Sequence, residues 1–431
     1  MFLEWLRRVA FWSLDALRGS PIRTEYQDIK NIMDNDDRSK IPTYLDDLLD
    51  HATATTPFYF QYRGKTFEQF PVINKSKIKE NYESFLSESF KGKPHHCMST
   101  SGSTGTPFCV IQDMRKRHRV LAELIYFNEC VGQKVGQKFV FFRVWTESLR
   151  VSKLALWAKN EIALDISNLD DENMGHIRQL LRSDRSIHEI MGYASTHKCL
   201  LKYIENCGDS SNDYHVKLIL SGSEMMEIPV REGLRKQFGC AVVSRYSNQE
   251  NGVLAQQCAE SEEYHINSAS YYIELLKLDS DEPATIGEPG RVVVTDLFNY
   301  AMPLIRYDTG DIATEKTHSD CGWNTRLLQQ IEGRRVNCCY APDGKMLSPH
   351  LFGTAMEPFT ELAQFQFIQN GKNDYVLKIN DPKNTYVDSD FYPVLREYLG
   401  ENACVAIERV SEIPCCASGK FMQAICNYHP E

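Results

Sequence analysis

Ser99-Thr100-Ser101-Gly102-Ser103-Thr104-Gly105-Thr106-Pro107 is the stretch on which the reading of this chain turns. Hydroxyls and glycines crowd together there, just ahead of the apolar run Phe108-Cys109-Val110-Ile111. Glycine lets backbone approach an anion closely, and amides and hydroxyls can then converge on phosphate oxygens. No lysine follows the glycines in the GxxxxGK[ST] pattern, so this is not a Walker loop. Taken alone, a Ser/Thr/Gly run is more often a plain surface loop. The rest of the chain decides between the two.

With 431 residues, 42% hydrophobic and 25% charged, the chain has ordinary globular composition and length for two or three domains. Its net charge of −10 argues against general nucleic-acid binding, which wants a basic face. The 14 cysteines lack a CxxC grid and no signal peptide precedes them, so reduced thiols and a cytoplasmic location are expected. No run of about 18 apolar residues occurs, so no transmembrane helix is expected. Phe2, Leu3, Trp5, Leu6, Val9, Ala10, Leu14 and Leu17 recur at helical spacing, with Arg7, Arg8 and Arg18 among them. This stripe is expected to pack on its own domain; peripheral contact with a membrane surface is the alternative.

Residues 1 to about 95 read as helices and loops, including the amphipathic stretch Tyr44 to His51. Beyond them, strand-like runs (139–142, 216–220, 292–294) alternate with helical patterns (116–130, 174–182, 197–206), which implies an α/β architecture. After Gly333-Arg334 the texture changes to strand (365–369), strand (374–379), helix (390–399) and strand (403–410), with Asn370-Gly371 as a hairpin signal. The expected organisation is a large multi-layer α/β domain over 1–335 and a small α+β domain over 336–431, hinged near Arg335-Val336-Asn337.

Further short motifs share the chain with the opening loop. Ser221-Gly222-Ser223-Glu224 follows a strand, where a crevice often opens in α/β sheets. Arg245-Tyr246-Ser247-Asn248-Gln249-Glu250-Asn251-Gly252 and Pro303-Leu304-Ile305-Arg306-Tyr307-Asp308-Thr309-Gly310-Asp311 come next. Ile331-Glu332-Gly333-Arg334 stands at the hinge, and Ser418-Gly419-Lys420-Phe421 lies near the C-terminus. In this order and spacing the set resembles the adenylate-forming superfamily of acyl-CoA synthetases, luciferases and nonribosomal-peptide adenylation domains. Phe70-Pro71-Val72-Ile73-Asn74-Lys75 and the hydroxyl-rich loop are similar to the phenylacetate–CoA ligase and CapK (capsular polysaccharide biosynthesis) branch.

The resemblance implies a ligase that activates a small carboxylic acid with ATP, releases pyrophosphate and passes the acyl group to a nucleophile, usually coenzyme A. Thr100, Ser101, Gly102, Ser103, Thr104 and Gly105 would hold the leaving phosphates in a loop that closes and reopens. Tyr246 would lie against adenine, Asp311 would accept from both ribose hydroxyls, and Arg334 would meet the nucleotide. Ser223, Glu224, Ser247 and Gln249 complete the implied nucleotide set. Glu250 would help hold Mg²⁺, a hard cation suited to carboxylate oxygen. Lys420, on the smaller domain, would bring its ammonium to the α-phosphate and the incoming carboxylate. Arg306 reads as structural rather than catalytic. Trp145 and Tyr193 are candidate walls of the acyl pocket.

Some positions depart from the pattern. Gln249 replaces a hydroxyl residue that faces the phosphates, and Val336 and Asn337 replace an acidic residue after Gly-Arg. Tyr340-Ala341-Pro342-Asp343-Gly344-Lys345 replaces the glycine-rich thioester-forming segment. Adenylation is therefore better supported than thioesterification, and the acceptor could be coenzyme A or a sugar hydroxyl or amine. A degenerate nucleotide-binding protein is the rival from another class. Some relatives of this branch place structural zinc ligands where Cys258, His265 and Cys321 stand, with His318 or Asp320 to complete four; paired-cysteine spacing is missing. A homodimer is compatible with the branch.

Overall fold

The computed structural model describes residues 2–35, 37–100, 108–143, 151–166, 170–318, 321, 323, 325–334, 339–344, 346–347, 352, 355–356, 358–359, 361–414 and 422–428. It divides into two units, Met1–Thr309 with Ala313–Gln330, and Gly310–Ile312 with Ile331–Glu431.

Helices α1 (Phe2–Leu17), α2 (Pro21–Asn35), α3 (Ile41–Thr55) and the short α4 (Lys75–Glu80) open the first unit. An antiparallel hairpin follows, β1 (His95–Thr100) and β2 (Phe108–Asp113), with Thr100 opposite Phe108. The hydroxyl-rich stretch therefore joins two paired strands, although residues 101–107 themselves lie outside the described residues. Asp113 ends β2, and its carboxylate accepts the Lys116 amide at 3.0 Å, which caps the start of α5 (Met114–Cys130).

An 11-stranded sheet forms the body of the fold. Its parallel half is built from β3 (Lys138–Arg143), β4 (Glu161–Asp165), β5 (Ile187–Tyr193), β6 (Leu218–Gly222) and β7 (Ala241–Asn248), in spatial order β4-β3-β5-β6-β7. The crossovers carry α6 (Lys153–Lys159), α7 (Asp171–Ser183), α8 (Ala194–Asn206) and α9 (Ile228–Phe238). Apolar side chains of these helices, such as Ile177, Leu200 and Leu234, pack on Val140, Ile190 and Ile219 in one buried cluster. The other half continues through β8 (Gly252–Gln257), β9 (Tyr264–Ile266), β10 (Tyr271–Leu276), β11 (Pro289–Asp296), β12 (Tyr307–Lys316) and β13 (Leu327–Arg334), in order β8-β9-β13-β12-β11-β10. Wherever the register is described in this half, neighbouring strands pair antiparallel.

In the second unit β14 (Cys339–Tyr340) pairs with β15 (Met346–Leu347). A four-stranded sheet, β18-β17-β16-β19, is built from β16 (Gln364–Gln369), β17 (Asp374–Asn380), β18 (Cys404–Arg409) and β19 (Ala424–Cys426). Phe391, Leu395 and Leu399 of α10 (Asp388–Leu399) pack with Phe367, Tyr375 and Leu377. The strand–strand–helix–strand order read from the tail is present, and Asn370-Gly371 opens the β16–β17 turn, with the Asn370 amide donating to Asp374 O at 2.9 Å.

Three expectations are corrected. The strand expected over 216–220 runs instead from Leu218 to Gly222, because the small, buried Ser221 continues the pairing between Gly192 and Ser244. The thiols are not all reduced: Cys97 and Cys109 form a disulfide across the β1–β2 hairpin, with Cα atoms 5.6 Å apart. A search for CxxC spacing could not see it, because hairpin register rather than sequence spacing brings the two together. Finally, the apolar stripe of α1 does not pack on its own domain. Phe2, Leu3, Trp5, Leu6, Leu14 and Leu17 are exposed, while Glu4, Arg7, Arg8 and Asp15 face inward. Among the described residues, no helix is long and apolar enough to cross a membrane.

Candidate functional site

The carboxyl ends of three parallel strands meet at one edge of the sheet. Tyr193 at the end of β5 pairs with Gly222 at the end of β6, and Gly222 pairs with Arg245 of β7. Tyr193, Ser223 and Tyr246 therefore emerge side by side, at the position where open α/β sheets form crevices. Ser223 turns the chain sharply at φ 67°, a left-handed conformation rare outside glycine. Glu224 follows, and its Oε2 accepts the Ser195 amide at 2.8 Å in the first turn of α8. Ser195 is one of the unpartnered amides at that helix start, so this carboxylate contact fixes the turn after β6 to α8.

Motifs some 60 positions apart in sequence come together next to this edge. The Tyr246 and Thr309 hydroxyls lie 3.3 Å apart, and the Tyr307 hydroxyl donates to Glu250 Oε1 at 3.4 Å. Tyr307 and Thr309 are two residues apart on β12, so they share a face of the strand, and that face meets the 246–250 segment. A bulge between Tyr246 and Ser247 shifts the register against β8, and pairing resumes at Ser247–Val253 and Asn248–Gly252. Both Tyr246 and Glu250 are largely buried.

Other segments brace the arrangement. The Ile73 amide donates to Arg306 O at 3.0 Å and the Asp308 amide to Ile73 O at 2.8 Å, so the 70–75 segment lies along the start of β12. Arg306 sits at φ 52° and gives its guanidinium to both Glu274 oxygens and to Phe70 O. That is a structural use of the side chain, as read from the sequence. The hairpin that carries the hydroxyl-rich stretch is tied to the acidic motif: Gln112 Nε2 on β2 donates to Glu250 O at 3.0 Å.

Beneath Asn251 lies a buried ionic cluster that sequence reading did not find. Lys116 Nζ is 2.8 Å from Asp296, 3.0 Å from the Tyr271 hydroxyl and 3.9 Å from Glu123. The same hydroxyl is 3.0 Å from Asn251 O, and Glu123 Oε2 accepts the Val253 amide at 3.1 Å. A Cβ on Gly252, at φ 140°, would come within 2.5 Å of Glu123 Oε2, so glycine is required there. The helical pattern over 116–130 carried no sign of it beyond the charged residues Lys116, Arg119 and Glu123 themselves. Two further charged residues of this half-sheet are buried, Glu189 on β5 and Arg245 on β7. Burial pushes Glu189 up to about 7, and burial pushes Arg245 down to about 10.

Cys258, His265 and Cys321 converge with ligand atoms all within 4.8 Å of one another. His265 Nδ1 lies 2.8 Å from the Thr325 hydroxyl, which turns Nε2 toward Cys321 Sγ at 3.3 Å. Burial holds the imidazole down at about 4, in the neutral form that binds metal. His318 is exposed and not part of this triad, and Asp320 lies outside the described residues.

Among the expected nucleotide residues, Ser223, Glu224, Tyr246, Ser247, Gln249 and Glu250 occupy the strand-end edge or the segment beside it. Asp311 lies on β12 after Gly310 at φ 80°, and Arg334 closes β13. Thr100 closes β1. Ser101, Gly102, Ser103, Thr104, Gly105, Trp145, the expected hinge and Lys420 lie outside the described residues. Tyr307, Thr309 and Gln112 had no assigned role; the first two stood inside a quoted motif, and their spacing of two on a strand was the available clue.

No family model and no curated protein matches the sequence. Solved structures do match in fold. A 2-hydroxyisobutyryl-CoA ligase in its postadenylation state, in complex with R3-HIB-AMP, superposes with a TM-score of 0.70 at 14% identity, over 87% of this chain and 86% of that one. The same ligase with 2-HIB-AMP and CoA, in its thioesterification state, gives 0.58 at 15% identity over 91% and 90%. ATP-bound MatB from Rhodopseudomonas palustris gives 0.56 at 15% identity, over 76% of this chain and 66% of that one. The chain thus has the fold of adenylate-forming acid–CoA ligases, a large α/β domain followed by a small α+β domain.

Proposed function

We propose that this chain is an adenylate-forming ligase that activates a small carboxylic acid with ATP and passes the acyl group to coenzyme A. The observation that carries the reading is the meeting of Tyr246 and Glu250 with Thr309 and Tyr307 beside the carboxyl ends of β5, β6 and β7, within a fold shared with such ligases. In the first step a carboxylate oxygen bonds to the α-phosphorus of ATP while the bond to the bridging oxygen breaks, and pyrophosphate leaves with the electron pair. In the second, a thiolate attacks the acyl carbon and AMP departs.

Tyr246 offers a flat, half-apolar surface for adenine, and its hydroxyl is held by Thr309. Asp311 is assigned to the ribose hydroxyls, Arg334 to the nucleotide and the 100–105 hydroxyls and amides to the leaving diphosphate. The buried Glu250 carboxylate, oriented by Tyr307, fits a hard cation, and Mg²⁺ held there would supply charge compensation at the phosphates. Tyr193 is assigned to the wall of the acyl pocket. Lys420, on a mobile lid spanning 336–431, is assigned to the α-phosphate.

The departures at Val336, Asn337 and Tyr340–Lys345 favour a second reading, in which the acyl group goes to a sugar or amine in surface-polysaccharide synthesis. Labelled pyrophosphate should exchange into ATP only when a suitable acid is present. CoA added with that acid should then yield a thioester. Exchange without thioester would select the second acceptor, and ATP binding without exchange for any acid would leave a nucleotide-binding protein.

We also propose that Cys258, His265 and Cys321 hold a structural zinc. Two sulfurs and one imidazole nitrogen within 4.8 Å suit that ion. Protein purified without chelator should contain about one zinc per chain by elemental analysis. Cys258→Ser should lose most of it and unfold at lower temperature; a metal-free parent of equal stability would remove the assignment.

A further inference from the structure

The first helix is built inside out. Ten of its 16 residues are exposed, and these are Phe, Leu, Trp, Val, Ala and one Ser, with no charged residue among them. Every charged side chain of α1 lies on the opposite, protein-facing side and is used there. Arg7 Nε donates to Trp157 O at 3.2 Å and Arg8 Nε to Val135 O at 3.2 Å. Asp15 accepts the Ile22 and Arg23 amides at the start of α2 at 3.0 and 2.9 Å. Phe11 and Trp12 join the core between α2 and α5, and Gly136 backs so closely onto α1 that a Cβ there would lie 2.5 Å from Glu4 O. The helix is fixed in place by its charged side chains together with Phe11 and Trp12, and its remaining apolar residues are what it presents.

That surface is large. Leu17 is 84% exposed, Phe2 71% and Leu3 63%, and on neighbouring α6 Leu154 is 74% and Trp157 66% exposed. Together with Trp5, Leu6, Val9 and Leu14 these side chains expose on the order of 1,000 Å², against the roughly 300–600 Å² of the largest apolar patch on a typical monomer. Cations stand around it. Arg7 lies over the Trp157 ring, Lys134 adjoins the Val135 carbonyl that anchors Arg8, and Lys153 and Lys159 flank Leu154 and Trp157 on α6. Of the acids on these segments, Glu4 is half-buried, Asp15 is buried, and Glu161 is covered beside Lys159 at 3.6 Å. A chain of net charge −10 thus carries Lys134, Lys153 and Lys159 on the segments that border this apolar face.

We infer that α1, with Leu154 and Trp157, docks this protein on an anionic lipid bilayer, lying in the plane of the interface with its apolar face among the acyl chains. An interfacial helix needs an apolar face, aromatic residues at headgroup depth and nearby cations, and all three are present. A second copy fits less well, because a two-fold contact would set the same cations against each other. The inference stands apart from the adenylation reading.

The full chain is tested by co-sedimentation with vesicles of phosphatidylcholine alone and of phosphatidylcholine with about 30% phosphatidylserine. Binding is expected on the anionic vesicles, at least about tenfold tighter than on the neutral ones and weakened by salt. Leu6→Glu with Leu14→Glu should lower it about tenfold or more, and Leu3→Ser with Leu17→Ser, gentler changes at exposed positions, should lower it in the same direction. Lys153→Glu with Lys159→Glu should remove mainly the preference for anionic lipid. Failure of the parent to bind either vesicle overturns the inference, as does equal binding by the leucine variants. So does sedimentation velocity showing a vesicle-indifferent dimer that Leu6→Glu with Leu14→Glu dissociates.

Discussion

Replacing Lys420 by alanine is expected to slow acid-dependent exchange of pyrophosphate into ATP by about 10²–10³-fold while ATP affinity changes little. Displacement at phosphorus leaves little covalent chemistry to the protein, so the barrier responds to positioning and to charge on the equatorial oxygens. An ammonium that reaches the α-phosphate only as the carboxylate attacks stabilises the transition state more than the bound nucleotide. Its loss therefore falls on the rate and not on binding. A lysine that is only a solvated surface charge would give a change within about 0.5 kcal/mol, less than threefold in rate. The two outcomes differ by more than tenfold, so one titration of ATP binding and one exchange assay separate them. Equal exchange by Lys420→Ala and parent rejects the role, and a matching loss of ATP affinity would make Lys420 a binding residue instead.

The parallel half of the sheet was legible in part: the runs 139–142 and 216–220 read as strands, while β4, β5 and β7 were not picked out. In the run Phe139 to Phe142, Val140 and Phe142 pack under α7 and α8, and intervening patterns such as 174–182 repeat with helical period. The tail was more readable, since β16 and β17 flank an Asn-Gly signal and α10 carries a clean stripe of Phe391, Leu395 and Leu399. The antiparallel half was legible only at 292–294, inside β11. Its strands β9 and β13 pair through His265 and Leu327, which lie 62 positions apart, and no local pattern encodes such a partner. The Cys97–Cys109 bridge escaped for the same reason. For α1 the periodicity was right and the direction wrong. Helical spacing reports that an apolar face exists, and it carries no information on which side the protein lies.

Tyr246 and Glu250 were singled out from their own motif and lie beside the strand ends, and Arg306 braces the fold through Glu274 and Phe70, as read. What holds the motif in position comes from distant segments and was invisible. Gln112 reaches Glu250 from the hairpin and Tyr307 from β12.

The buried cluster under Asn251 supplies the second large expected effect: Lys116→Met should destabilise the first unit by about 3–5 kcal/mol. Lys116, Glu123 and Asp296 are all fully buried, with one ammonium facing two carboxylates. Met matches the stem of lysine and leaves little cavity, so the cost comes from two carboxylates stranded away from water. A drop in melting temperature of roughly 5–15 °C follows. The loss should depend on pH with a definite sign. In the parent, burial raises the Glu123 carboxyl and the Lys116 charge pulls it back down. Without that charge the carboxyl rises further, so the folded variant holds a proton that the unfolded chain has released. Stability then falls as pH climbs above the ordinary carboxylate range, and the gap between variant and parent narrows in mild acid. Adding Asp296→Asn and Glu123→Gln should recover part of the loss, because neutral amides need no counter-charge. Exchange activity should fall with stability, since Tyr271 and Glu123 hold the backbone at Asn251 and Val253, next to Glu250. A Lys116→Met protein that melts with the parent at every pH would show that the cluster does not position this motif.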